Sequence, residues 1–487
     1  MNIQSIHKKQ ILKDPITLLD RLTPGLTVDT STLSNLHTSY QSVYQQQTIL
    51  NDELKTSSRK IGEAKKQNRP VDDLKAQTRA LSHQLKPLTE QLKKLEQEIQ
   101  DEFTRLADHV TQPTKEKGAL KKETQNRYQL TGATLQDVTI NVIDTNSIAD
   151  KNADVLQRWN RYVLKHPSGT IHHQIDWQTI MHRAYGHQSY YFYACTASGS
   201  IIGVLPVVRL SSKLFGNLMV SMPYFQRGGA IADNVEIEKL LINAANNKAR
   251  MLAVETIEYR DDIYRKNMPV QQHKVNMILS LPDSSETLWK SFSAKLRAQI
   301  KRSQREKPQK QIGRLELLND FYKVYTRNMR DLGSPPHSKY FIKTILQTFP
   351  DKSWLVVIRH NNQVVAAALL LASKETMEIP LASTIRAANP LSMNMFLYWE
   401  ILQFAILKGY KKFDFGRSSV DAGTYRFKRQ WGAEPKKLYW NYWLADGTEV
   451  PRLNPDNPKY AIAIRCWKKI PLFMTQWLGP HIVKNLP

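Results

Sequence analysis

Between residues 33 and 106, apolar positions recur at alternating intervals of three and four. Leu33, Leu36, Tyr40, Val43, Gln47, Leu50, Leu54, Ser57, Ile61 and Ala64 form one seam, with polar interruptions at Gln47 and Ser57. Val71, Leu74, Thr78, Leu81, Leu85, Leu88, Leu92, Leu95, Ile99 and Leu106 form a second. Such spacing is the a/d pattern of coiled-coil helices. Asn68-Arg69-Pro70 separates the seams, and Pro70 disfavours helix at Arg69. Two seams joined by a short turn predict an antiparallel helical hairpin, each helix roughly 50 Å long at about 1.5 Å per residue. Pro87 falls inside the second helix and is expected to kink it.

Residues 111–135 are polar and read as a linker. Beyond them, short apolar runs alternate with helical patterns. Strands are expected at 138–143, 190–195, 201–208, 251–257 and 275–279, then at 354–358, 364–371, 378–382, 412–415 and 438–443. Helices are expected near 236–249, 285–306, 315–331 and 391–408, the last stopped by Gly409. The implied fold class is α/β, with two successive mixed-sheet units of about 150 residues each. The domain reading is a helical arm at 1–110, a linker at 111–135, α/β units at 136–283 and 284–445, and a C-terminal extension at 446–487.

Composition narrows the class. The chain has 487 residues, 41% hydrophobic and 23% charged, the range of a folded protein rather than a disordered one. No charged segment leads into an apolar run at the start, and no run of about 18 apolar residues occurs, so neither a secretory signal nor a membrane span is expected. Cys195 and Cys466 are the two cysteines. They make no disulfide framework and lack the neighbours of a metal cluster, so a reducing cytoplasm, no metal and no cofactor are expected.

The net charge of +25 favours a polyanionic partner: nucleic acid, an anionic membrane surface or an acidic polymer. A basic solvated surface is the plainer alternative. Residues 1–110 hold 16 Lys+Arg against 14 Asp+Glu, and the remainder holds 53 against 30. Most of the positive field therefore lies beyond the arm.

Two basic stretches stand out. Near the hairpin tip, Lys55, Arg59, Lys60, Lys65, Lys66 and Arg69 face a single acid, Glu63. Phosphate backbones bind such stripes through charge and counterion release, although a charge run is more often a solvated face. In 291–310, Lys295, Arg297, Lys301, Arg302, Arg305, Lys307 and Lys310 face Glu306 alone. Arg297, Lys301 and Arg305 repeat at i, i+4 and i+8 and so share one stripe. That density repels itself unless an anion neutralises it.

Candidate chemistry gathers late in the chain. Asp414-Phe415-Gly416-Arg417 ends a strand, where sites in α/β folds collect. Arg417 can grip a phosphate or carboxylate bidentately, or it can pair with Asp414 or Asp421. Lys428 follows Tyr425 and Phe427 and precedes Trp431, and a cation among rings is also an ordinary packing device. Gly228-Gly229 permits close approach of backbone N–H groups to a ligand, or makes a simple tight turn. His172, His173 and His337 are possible bases that lack a placed partner in the sequence. There is no Gly-x-Ser-x-Gly elbow, P-loop or His-Glu-x-x-His.

Residues from about 10 to 110 resemble the N-terminal tRNA-binding arm of seryl-tRNA synthetase. The likeness lies in Lys13-Asp14-Pro15, the hairpin, the run from Ser58 to Lys66 (Ser-Arg-Lys-Ile-Gly-Glu-Ala-Lys-Lys), and the closing Leu106-Ala107-Asp108-His109-Val110. After Val110 the proline-asparagine exit of that family is absent, and nothing downstream resembles a class II synthetase catalytic domain. ATP-dependent amino-acid activation is therefore not expected.

Residues 136–445 resemble FemAB-type members of the GNAT superfamily, in particular those associated with exopolysaccharide and PEP-CTERM systems. One stretch runs from Gly199 to Val207, through Phe215-Gly216-Asn217 and Ser221-Met222-Pro223, to Gly228-Gly229-Ala230. The other runs from Gly409-Tyr410 through Phe413-Asp414-Phe415-Gly416-Arg417-Ser418-Ser419 to Gly423 and on to Ala433. Gln226-Arg227 departs from the aromatic-rich pair expected there.

The resemblance implies a tRNA-dependent aminoacyltransferase that moves an amino acid onto an amine of a small molecule, peptide or cell-envelope or polysaccharide precursor. The Phe427-Lys428 pair is then implicated in binding phosphates of the tRNA acceptor end. The arm points to seryl-tRNA as donor and serine tRNA as partner. On this reading Lys428 and Arg417 contact phosphate or oxyanion, Asp414 and Tyr425 serve proton transfer or orientation, and a homodimer is within the arm's reach. Two alternatives stand beside it: an acyl-CoA-type N-acyltransferase of exopolysaccharide synthesis, and a tRNA-binding protein without catalysis.

Overall fold

The computed structural model describes residues 11–12, 15, 31–66, 70–111, 137–145, 153–212, 215–450 and 458–486. The expected linker, Lys13-Asp14 of the lead-in and Arg69 lie outside the described residues. So do the side chains of Arg59, Lys65 and Lys66. The chain forms two compact units, Met1–Asn126 and Arg127–Pro487.

The first unit contains helices α1 (Ser31–Lys66) and α2 (Asp72–Thr111). Every seam position of α1 is buried or half-buried, as 3,4 spacing requires. The two polar interruptions find partners across the hairpin. Gln47 Nε2 donates to Thr89 Oγ1 at 2.9 Å, and the Ser57 and Thr78 hydroxyls lie 2.8 Å apart. Residue numbers that rise on one helix as they fall on the other fix the pair as antiparallel. Pairing the interruptions with each other avoids buried polar groups without partners. α2 continues through Pro87. At the tip, Lys55 pairs with Asp52 at 3.0 Å, and Lys60 is exposed.

The second unit begins with β1 (Thr139–Asp144), α3 (Ala153–Lys165), α4 (Asp176–Tyr185), β2 (Gln188–Cys195), β3 (Ile201–Ser212), β4 (Gly216–Val220), β5 (Ile231–Ala232), α5 (Val235–Met251), β6 (Thr256–Asp261), β7 (Val270–Gln271) and β8 (Lys274–Ser280). It continues with α6 (Ser285–Ser291), α7 (Ala294–Arg305), β9 (Gln309–Gly313), α8 (Leu318–Leu332), α9 (Lys339–Thr348), β10 (Ser353–His360), β11 (Gln363–Ser373) and β12 (Thr376–Thr384). Last come α10 (Met393–Leu407), β13 (Lys412–Ser419), α11 (Gly423–Arg429), β14 (Glu434–Lys437), β15 (Tyr439–Leu444), α12 (Pro458–Trp467) and α13 (Leu472–Val483).

Two mixed sheets result. The first runs β1-β2-β3-β4-β6-β15-β7, with β5 on β3, and the second runs β14-β8-β13-β12-β11-β10-β9. Each repeats one scheme. Antiparallel strands lead to a helix, which crosses to a strand that pairs in parallel: β4 with β6 across α5, and β12 with β13 across α10. The sheets also exchange strands. β8 follows the first sheet in sequence yet pairs with β13, while β15 follows the second and pairs with β6. A continuous core of Ala, Val, Leu and Ile from β10 and β11 fills the second sheet and is covered by α8, α9 and α10. Strands buried on both faces read as unbroken apolar runs, which is why 354–371 is legible in the sequence.

Two expected elements differ. The run 251–257 is not one strand: Met251 closes α5 and is 81% exposed, Ala253 turns at φ 49°, and β6 starts at Thr256. The expected helix 285–306 is two. Phe292 is extended, and the Ser293 side chain accepts from Leu296 N, capping a new helix.

Candidate active site

β12 and β13 pair in parallel at Thr376–Lys412, Met377–Phe413 and Glu378–Asp414, and no further. Both strands continue, so they separate beyond that rung. At the far end of β12 lies a cleft of about 290 Å³ lined by Ser383, Thr384, Asn389, Asn394, Tyr398, Phe427 and others, with Asp331 as its acid. The start of α10 belongs to this cleft. Its N-cap residue Ser392 is left-handed at φ 57° and gives no side-chain cap. Met395 N donates to Ser392 O at 2.9 Å, and the amides ahead of it carry the partial positive charge of a helix start. A left-handed N-cap residue without a side-chain cap leaves a helix start beside the cleft that is suited to an anionic or carbonyl oxygen.

β13 is broken beside Tyr398, a cleft residue whose ring stacks on Phe415 with centroids 5.6 Å apart. Its register against β8 shifts between Asp414 and Arg417, leaving Phe415 and Gly416 as a bulge, with Gly416 at φ 74°. A side chain there would be strained, which explains the glycine. Two side chains hold the bulge. Asp414 Oδ1 accepts from Gly416 N at 2.7 Å, and Lys428 Nζ donates to Gly416 O at 3.0 Å and Arg417 O at 2.8 Å. Both are buried, Asp414 at 0% exposure and Lys428 at 8%.

Burial pushes the Asp414 carboxyl up, Arg227 opposing and Glu378 adding. Burial also pushes the Lys428 ammonium down to about 8, opposed by Asp414 and aided by Arg417.

The bulge projects Arg417 outward. Solvent reaches its side chain, yet protein surrounds it in a recess: burial, then Arg260, push its pKa down to about 10, with Glu258 opposing. It makes no ion pair among the described residues, and neither Asp414 nor Asp421 meets it. Its guanidinium lies 5.2 Å from the centre of the Trp440 ring, and that of Arg260 lies 4.7 Å away. Arg260 is committed to Glu258 Oε1 at 2.6 Å and Phe225 O at 2.7 Å. Lys274, bonded to Ser419 Oγ at 2.6 Å, completes the basic recess. Burial, then Arg417, lower its pKa.

The remaining candidates fall as follows. Tyr425 is half-buried on α11, packed on the main core, while Phe427 lines the cleft. Gly228 N and Gly229 N both donate to Arg260 O, at 3.0 and 2.9 Å, so these amides are engaged within the protein. A Cβ at Gly228 would come within 2.4 Å of Met222 Cβ, and one at Gly229 within 2.3 Å of Asp261 Oδ2. Close packing thus accounts for the pair. Arg227, the departure from the expected pattern, reaches 3.8 Å from Asp414 Oδ2. His172 Nε2 lies 2.7 Å from Glu378 Oε1, next to the Asp414 rung. His173 is engaged by Thr170 and Gly229 O. His337 contacts Tyr185 Oη at 2.8 Å, and burial holds its pKa down at about 3.

On α7, Leu296, Ile300 and Ser303 face inward, while Lys301, Arg302 and Arg305 are exposed and make no ion pair among the described residues. Arg297 differs, since its Nη1 donates to Phe292 O at 2.6 Å. Apart from Phe427, the sequence did not reveal the cleft residues. A signal was present in the break from Thr384 to Asn394, where a polar, proline-containing turn separates a strand from an apolar helix.

This architecture is that of a mixed α/β protein with two like-built sheets and a separate helical arm. Residues 290–429 match the acetyltransferase (GNAT) domain family, and residues 7–110 match the seryl-tRNA synthetase N-terminal domain family. The chain therefore joins a GNAT domain to a synthetase-type arm. Among solved structures it is similar to FemX, with 13% identity, TM-score 0.47, and coverage of 58% of this chain and 95% of that one. It is also similar to L-PGS from Bacillus licheniformis (14%, TM-score 0.37, 55% and 87%). A third is a tandem GNAT protein from the clavulanic acid biosynthesis pathway (10%, TM-score 0.39, 65% and 100%). No curated protein matches the chain.

Proposed function

We propose that this protein is a cytoplasmic, FemAB-type aminoacyltransferase that moves an amino acid, serine first among candidates, from its tRNA onto an amine. One observation carries the reading: a seryl-tRNA synthetase N-terminal domain and a GNAT domain occur in the same chain. An arm of that kind gives a transferase a means of holding a donor attached to tRNA.

The chemistry suits the cleft. The amine nitrogen attacks the ester carbonyl carbon, the C–N bond forms, the ester C–O bond breaks, and the ribose hydroxyl leaves with a proton. No covalent enzyme intermediate is needed. The requirements are alignment, an acceptor for the amine proton and stabilisation of the oxyanion. In this reading Asp331 accepts the proton, the α10 start stabilises the oxyanion, and Arg417 holds a phosphate of the donor or an anionic group of the acceptor. Asp414 and Lys428 act through Arg417 as positioning residues, and exposed cations of α7 attract the acceptor stem.

A second reading has its own support. The family matched at 290–429 is that of acetyltransferases, so an acyl-CoA donor would use the same cleft, with the arm as a scaffold. The test is to sequence the RNA that copurifies with the full chain and then assay transfer from labelled seryl-tRNA and labelled acetyl-CoA to an amine panel. Serine tRNA enrichment with label transfer from seryl-tRNA is the expected result. Transfer from acetyl-CoA alone, with no bound RNA, overturns it.

A further inference from the structure

α13 wears its pattern inside out. Its buried positions are Thr475 and Gly479, and Gln476 Nε2 donates to Thr326 Oγ1 of α8 at 2.9 Å. A Cβ on Gly479 would come within 2.4 Å of Pro336 Cδ, so small residues are needed for this close seat. Tyr224 Oη donates to Lys484 O at 2.9 Å and pins the far end. The large apolar residues point the other way. Phe473 is 71% exposed, Trp477 68% and Met474 38%. Phe473 and Trp477 stand four apart on one helix face, so the three make a contiguous patch held on a fixed support.

The segment that carries the patch has charge of one sign. Residues 458–487 contain Lys459, Arg465, Lys468, Lys469 and Lys484 and neither Asp nor Glu. Lys468 and Lys469 are exposed just before the helix. Two copies of the chain meeting patch to patch would bring these cations together, which opposes self-association. An anionic lipid surface satisfies both features at once. Aromatic side chains settle at headgroup level, and lysines beside them are drawn to the negative surface.

We infer that α13, with the basic end of α12, docks this protein on an anionic membrane surface. The mode is lying on the bilayer, because α13 has 12 residues and, among the described residues, no helix is long and apolar enough to cross one. This does not depend on the donor or on the reaction in the cleft.

The test is co-sedimentation of the full chain with vesicles of phosphatidylcholine and phosphatidylglycerol in equal parts, against phosphatidylcholine alone. The mixed vesicles should retain the protein and the neutral ones should not. Phe473→Ser/Trp477→Ser should lower partitioning about tenfold, and Lys468→Glu/Lys469→Glu should lower it too. The replaced side chains are exposed, so the melting temperature should not move. Lys301→Ala/Arg305→Ala should bind vesicles as the wild type does. The inference is overturned if wild type stays in the supernatant, or if the Phe473/Trp477 variant binds unchanged. It is equally overturned if that variant turns a lipid-free dimer into a monomer, which assigns the face to a second copy.

Discussion

Asp414 and Lys428 hold the same residue from opposite sides: one takes the N–H of Gly416 at 2.7 Å, the other its carbonyl at 3.0 Å. Fourteen residues separate them in sequence, yet together they fix the bulge that aims Arg417 into its recess. Lys428→Met should leave two carbonyls of β13 without their donor and let Arg417 wander. Transfer should fall about tenfold or more at the level of a lost charged hydrogen bond, with far-UV dichroism unchanged. Lys428→Arg, which can still donate, should recover part of the loss. Full activity in Lys428→Met would remove the clamp from the mechanism.

The same lysine has a pH signature. Burial lowers its pKa from 10.5 to about 8. Between those values the unfolded chain holds a proton that the folded chain does not, so folding stability rises with pH across that window. Against Lys428→Met, wild type should gain up to about 1.4 kcal/mol per pH unit from 8 towards 10.5. Urea midpoints of both proteins at several pH values read the difference, and other lysines cancel in it. Parallel curves would mean that Lys428 titrates normally.

Solvent reaches Arg417 in its recess, it makes no ion pair among the described residues, and burial, then Arg260, lower its pKa to about 10 with Glu258 opposing. Arg417→Ala should therefore leave the melting temperature unchanged or slightly raised. It should also cut kcat/KM about 10- to 100-fold if the guanidinium grips an anionic substrate group. A variant with wild-type kcat/KM would show the recess to be empty of substrate.

The parts legible in the sequence are those decided by local period. The seams of α1 and α2 are readable because burial on a long helix must recur every three or four residues, and β10 and β11 because doubly covered strands are continuous apolar runs. The candidate site is legible as residue types and not as geometry. Asp414, Arg417 and Lys428 stand out by type, but the clamp depends on a register shift against β8, which lies over 130 residues earlier. The divergence of β12 from β13 is a property of the sheet, and no single residue announces it. Arg227 looked like a departure from a pattern until the fold set it beside Asp414. The strand expected from Met251 failed because an apolar helix end and the turn after it mimic a strand's start.

Asp331 lines the cleft as its acid, held by Arg330 at 2.9 Å. Asp331→Asn keeps its size and removes its basicity. Single-turnover transfer should slow by about 100-fold or more, the scale of a lost general base, while donor binding is retained. Loss of binding with an unchanged chemical rate would instead make it a substrate contact.

The arm and α7 are expected to grip different parts of one tRNA, and their energies can be separated. Deleting residues 1–110 should leave the second compact unit folded, because the two units form separate clusters, and should weaken tRNA binding. Lys301→Ala/Arg305→Ala should weaken it too, and should make the slope of log K against log salt shallower by about 1.5, the effect of two lost phosphate contacts. Grips that act independently contribute additively. The combined variant should therefore lose the sum of the two free energies, and the charge-dependent slope change should be the same with or without the arm. Filter binding over a salt series measures all four corners. An arm deletion that abolishes the effect of Lys301 and Arg305 would mean that α7 meets RNA only after the arm has placed it, and the two grips would then be one cooperative site.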